Sequence, residues 1–141
     1  MTDMIELKTA ELAGPALDWA VAEAEGIQRF VMGNDWPGNS AVDDAADRDR
    51  VVICNLIGRL VVARGGWSDE WKPSASWAQG GPLIDKHRMS FWGGESYVYA
   101  VCAGGEGYGP THLVAACRAI VASKLGCTVR LPAALLAGGE A

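Results

Sequence analysis

Two helical stretches are bracketed by backbone breakers near opposite ends of the chain, and short valine- and isoleucine-rich runs gather between them. Gly14-Pro15 opens the first, with proline in the first turn where its missing N–H is harmless, and Gly26 closes it. Thr111 can cap the second through its hydroxyl, and Gly126 ends it. Val51–Asn55 and Leu60–Arg64 read as a hairpin, Arg88–Trp92 and Ser96–Ala103 as further strands, and Thr128–Leu131 as a last one. Ile27–Met32 is a candidate short strand ahead of the turn formers Gly33–Asn39. Strands that cluster between helices, instead of alternating with them, predict an α+β fold with a mainly antiparallel sheet and two principal helices packed on it.

The faces of these elements set further expectations. Over residues 15–25, Ala16, Leu17, Ala20, Val21 and Ala24 share one helical side, while Trp19 points away, toward a second layer or a partner. Over 111–125, Leu113, Cys117, Ile120 and Val121 form a core stripe widened by Val114 and Leu125. Ala115, Ala119 and Ala122 lie opposite, beside Arg118. So smooth a face admits another backbone closely, either a second layer or a symmetric copy in a homo-oligomer. Tyr97 and Tyr99 alternate with Val98 and Ala100, which makes one strand face aromatic.

A length of 141 residues fits one domain, with residues 27–50 as an irregular acidic insertion and 133–141 as a frayed tail. The net charge of −5 is uneven: residues 1–50 hold four basic and eleven acidic side chains, the remainder eight and six. Such a chain is a poor general binder of nucleic-acid backbones. The acidic peak at Asp43, Asp44, Asp47 and Asp49 reads as a solvated loop or a patch for a basic partner. No run reaches membrane-spanning length, and the first residues lack the pattern of a leader peptide, so the expected location is the cytoplasm of the host cell. Cys54, Cys102, Cys117 and Cys127 show no two-residue spacing and read as free thiols, with no metal or cofactor expected. A zinc site from Cys102, Cys117 and Cys127 with His87 or His112 is conceivable on ligand type alone.

Two segments carry candidate chemistry. The stretch from Trp71 to Ile84 holds two indoles, paired serines and two prolines, and reads as a loop. Trp71 and Trp77 can clamp a planar ring while Ser74, Ser76 and Gln79 bond its edge; they can equally form a protein-binding hot spot or complete a small core. The run from Gly104 to Thr111 reads as a flexible glycine turn leading into a helix, where Gly107, Gly109, Thr111, His112 and Arg118 can gather an anion, although Glu106 opposes it. Its glycines match neither a dinucleotide fingerprint nor a Walker loop. A hydrolase triad lacks a recognisable base, and Asp18, His112 and Glu106 are the acid–base candidates for an enzyme acting on a nucleotide or nucleic-acid component.

Three blocks then resemble a known family. Lys8-Thr9-x-Glu11-Leu12-x-Gly14-x-Ala16-Leu17-Asp18-Trp19-Ala20-Val21-Ala22, Pro73-Ser74-x-Ser76-Trp77-Ala78-Gln79-Gly80-Gly81-Pro82, and Gly109-Pro110-Thr111 followed by Ala115-Ala116, Arg118 and Val121–Gly126 resemble, in order, the NinX-like proteins of lambdoid phages and prophages. That family commonly has aspartate where Ser76 stands and proline where His112 stands, and the 27–50 region looks longer than usual. The resemblance implies a phage or prophage accessory protein and no particular activity. With the residues, it leads to the expectation of a protein acting by binding, to a host or phage protein or to a nucleotide-like small molecule, at a surface combining the tryptophan loop with the glycine turn. The competing expectations are the small enzyme and a purely structural homo-oligomer.

Overall fold

The computed structural model describes residues 4–36, 50–64 and 67–139. In chain order it has β1 (Met4–Lys8), a 3-10 turn (Thr9–Glu11), α1 (Gly14–Ala24), β2 (Gln28–Val31), β3 (Val51–Cys54), β4 (Leu60–Arg64), β5 (Trp67–Glu70), α2 (Trp77–Lys86), β6 (Ser90–Gly93), β7 (Val98–Cys102), β8 (Gly105–Gly109), α3 (His112–Leu125), β9 (Thr128–Pro132) and α4 (Ala134–Gly139). The strands form three small sheets, ordered β1-β9, β2-β3-β4-β5 and β6-β7-β8. Among the described residues, all strand pairs are antiparallel except β2 with β3. The fold class is therefore α+β with mainly antiparallel pairing, distributed over three sheets.

The layers run from the three-stranded sheet through α3 and α1 to the four-stranded sheet. Leu17, Ala20 and Val21 of α1 share the main core with Cys117, Ile120 and Val121 of α3 and with Val52, Cys54, Leu60 and Val62 of the four-stranded sheet. Thr111 caps α3 as its sequence predicts, its Oγ1 accepting the Val114 N–H at 3.1 Å. Trp19 is buried against the second layer, with the Arg29 guanidinium of β2 lying 5.7 Å from its ring centroid. All four residues of β3 are buried, because Val51 and Ile53 pack beneath Phe30, Met32 and Trp36 on the sheet's other face.

Three expectations change, while the candidate strand at residues 27–32 forms as β2. The tryptophan loop is helical from Trp77 onward, although α2 contains Gly80, Gly81 and Pro82. The glycine turn preceding α3 is a strand, β8, joined to β7 by a tight turn at Ala103-Gly104. The expected frayed tail carries α4, whose Leu135 is buried in the main core. Within the expected insertion, β2 pairs in parallel with β3, while the acidic stretch of residues 37–49 lies outside the described residues.

The contact between β8 and α3 explains two of these features together. A Cβ on Gly105, Gly107 or Gly109 would stand under 3.0 Å from atoms of α3: the Ala119 carbonyl, the Ala115 carbonyl and the Val114 side chain respectively. Every second residue of the strand is thus glycine because it lies directly on the helix backbone. Ala115 and Ala119 supply the matching surface and are fully buried by it. At Ala115 and Ala119 the smooth face is covered by β8 of the same chain, the second layer that its sequence allows. Gly107→Ala should therefore lower unfolding free energy by about 2–3 kcal/mol or more through overpacking, whereas Gly94→Ala, with open space around it, should change little. Urea denaturation of both variants checks this.

Candidate functional site

The two indoles of the central segment have opposite fates. Trp71 is 2 % exposed and packs in the main core, where its Nε1 donates to the Asp18 carbonyl at 2.8 Å. Trp77, in the first turn of α2, is 61 % exposed. They cannot clamp one ring between them, because the first is sealed. Ser74 is buried, its N–H donating to Asp18 Oδ1 at 2.8 Å. Gln79 is committed too: its Oε1 accepts the Lys72 N–H and its Nε2 donates to the Glu70 carbonyl, each at 2.6 Å. Ser76 is the residue before α2, and its hydroxyl caps nothing. The segment does come to rest against the start of α3, with Gly80 wedged between the Pro73 carbonyl and Leu113, but the contact is closed packing.

Asp18 is an uncommon group at this junction. It is 3 % exposed, and burial pushes its carboxyl from an ordinary 3.8 to about 7 against the lowering effect of the Ser74 hydrogen bonds. Its backbone carbonyl and its carboxylate together pin Trp71 and Ser74 to α1. His112 is exposed and packs edge-on against Phe91 at 5.0 Å, while Glu106 lies on the outer face of β8. The three acid–base candidates occupy separate environments.

The open chemistry lies on the other face of the three-stranded sheet. Glycines fill the inner side of β8, so Glu106 and Tyr108 point outward. The register sets Tyr108 opposite Tyr99, and Tyr99 opposite Trp92. The rings form a ladder: Trp92 to Tyr99 at 5.8 Å, Tyr99 to Tyr108 at 4.6 Å, and Tyr108 to Tyr97 at 5.8 Å with planes 23° apart. Tyr99 donates its hydroxyl to Glu106 Oε2 at 2.6 Å, and this bond to a carboxylate pushes the phenol up to about 12.

The ladder ends at a cavity of about 480 Å³ beyond β8. Tyr97, Tyr108, Glu106 and Gly107 form one wall, Arg118 and Ala122 of α3 the floor, and Lys8–Ala10 with Cys127 and Thr128 the far side. Arg118 is fixed in place, its Nε donating to the Leu12 carbonyl at 2.9 Å and its Nη1 to the Tyr108 carbonyl at 2.7 Å. Thr9 ties the far wall down, its N–H donating to the Cys127 carbonyl and its hydroxyl to the Gly126 carbonyl. Of the residues expected to form a site, Gly107 and Arg118 line this cavity. Gly109 is packed on α3, and Thr111 and His112 lie at the helix start. Sequence alone gives no reason to place Lys8, Thr9 and Cys127 at one site, Cys127 standing there only as a conceivable zinc ligand, because their proximity depends on β1 pairing with β9. The available signal was Tyr97 and Tyr99 in alternation.

Cys54, Cys102 and Cys117 are buried and Cys127 is exposed. Burial pushes the Cys54 thiol up to about 11 and raises Cys102 and Cys117 as well. Among the described residues, no group of three histidine, cysteine or acidic side chains is placed to hold a metal ion, and no helix is long and apolar enough to cross a membrane.

Two expected outcomes test the junction. Trp71→Ala should cost about 3–5 kcal/mol of stability, and Trp77→Ala under about 0.5, by urea denaturation. Asp18 has a folded pKa above its unfolded one, so the stabilisation by its protonated form is complete below about pH 4 and disappears as pH rises through about 7, a loss on the order of 4 kcal/mol. The stability of Asp18→Asn relative to the unsubstituted protein should therefore climb across that window, and a difference independent of pH would contradict it.

No curated protein matches the chain. The family described as "Bacteriophage P22, NinX" matches residues 8–124, a stretch that runs from the end of β1 to the last turn of α3. The chain belongs to this NinX family of phage proteins.

Proposed function

We propose that this NinX-family protein is a phage accessory protein that acts by binding a small planar ligand in the cavity at the end of the aromatic ladder. The observation that carries this reading is the continuity of four outward rings with a cavity of about 480 Å³. Large aromatics scattered singly over a surface need no explanation, but Trp92, Tyr97 and Tyr108 are each about half exposed and are gathered on one face. Within the ladder the rings cover one another. Tyr97 and Tyr108 are the two that also border the cavity, so a flat ring entering there extends the stack. Stacking of this kind is worth about 1–3 kcal/mol per ring, and the volume falls in the usual range for small-molecule sites.

The binding wall is held by the core behind it. Arg118 ties the β8 edge and the Leu12 carbonyl to α3, and the Thr9 bonds fix the opposite side. A site whose walls are set before the ligand arrives loses little freedom on binding. The nucleotide-like ligand class fits this geometry better at the Tyr97–Tyr108 cavity than between Trp71 and Trp77.

Cys127 supplies the test, since it borders the cavity and is the one exposed thiol among four. Nucleosides that occupy the site should slow alkylation of Cys127 several-fold. Tyr108→Ala should abolish that protection while leaving the chain folded, and Trp77→Ala should leave it intact. Binding of planar compounds that leaves Cys127 reacting at its full rate would place the site elsewhere.

A further inference from the structure

Resting on that reading of the cavity, we infer that its ligand carries an anionic group, phosphate or carboxylate, beside the planar ring, and that Lys8 and Arg118 receive it. Both cations line the same cavity as Tyr97 and Tyr108. Arg118 is half-buried, and both of its hydrogen bonds go to neutral carbonyls, of Leu12 and Tyr108. Those bonds hold the guanidinium without neutralising it. Among the described residues, neither Arg118 nor Lys8 makes an ion pair. In a chain of net charge −5, two cations without an ion pair among the described residues face one apolar cavity against a single carboxylate, Glu106, which leaves a local positive excess.

The cavity also contains Glu106, which opposes an anion. Its Oε2 accepts the Tyr99 hydroxyl on the outward face, so this carboxylate is anchored toward the ladder. The wall is therefore divided by chemistry. The ladder end takes the ring, and the Arg118–Lys8 side takes the charge. A fixed guanidinium offers a directional donor, and Lys8, exposed at the end of β1, adds a mobile point charge.

Two matched pairs of probes test the inference by calorimetric titration at low ionic strength: adenosine against adenosine monophosphate, and indole against indole acetate. The charged member of at least one pair should bind tenfold or more tightly than its neutral partner, and the preferred pair identifies the anion as phosphate or carboxylate. Added salt should weaken the charged probe alone. Lys8→Met should reduce the charged probe's affinity about fivefold and leave the neutral one unchanged. This variant removes only an exposed charge at a strand end, so it keeps the test independent of Arg118, whose bonds also brace the fold. Neutral and charged probes that protect Cys127 equally overturn the anionic site while the planar-ligand reading stands. If none of the four probes protects Cys127, both fall.

Discussion

The surface of this protein depends on one strand lying flat on one helix. β8 can approach the backbone of α3 because its inward positions are Gly105, Gly107 and Gly109, and because Ala115 and Ala119 present no bulk in return. Strand geometry then leaves no choice for the intervening residues. Glu106 and Tyr108 face outward, and the register with β7 and β6 brings Tyr99 and Trp92 into line with Tyr108. The same close approach leaves Arg118 beside the strand edge, where its guanidinium reaches the Tyr108 carbonyl. Core packing on one side of the sheet therefore dictates the chemistry on the other.

The elements that could be read from sequence are those whose local and tertiary preferences agree. α1 and α3 have breakers at both ends and apolar stripes of helical period, and β3 with β4 is a valine-rich hairpin. α2 fails this test: two glycines and a proline within ten residues argue against a helix. Glycine stands at position 80 because a Cβ there would strike the Pro73 carbonyl and Leu113, a contact that local propensity does not register. β8 was hidden for a related reason. Glycines suggest a turn when taken one at a time, yet their alternation at 105, 107 and 109, set against alanines four apart in the following helix, describes a strand buried on a helix. The aromatic face was legible from Tyr97 and Tyr99. The cavity beside it was not, because its far wall comes from segments more than a hundred residues apart in sequence.

Trp71 and Trp77 show where residue type stops being informative. Both are tryptophans in one polar stretch, six positions apart. Trp71 is internal because Asp18 offers its indole a carbonyl and holds the following residues with its carboxylate. That arrangement places an ionisable group in the core, and burial opposes its charge more strongly than the Ser74 hydrogen bonds favour it. The junction between α1 and the central segment therefore combines a large apolar ring with a carboxyl poised near neutrality.

β1 pairs with β9 along its whole length, and the adjoining Thr9 bonds reach Cys127 and Gly126. During synthesis, the residues of β1 leave the ribosome long before their partners exist. They must remain unpaired until β9 has emerged, so this closure comes late in folding. Until then the nascent protein can assemble its helices and hairpins, yet the side of the cavity built from Lys8–Ala10, Cys127 and Thr128 does not exist.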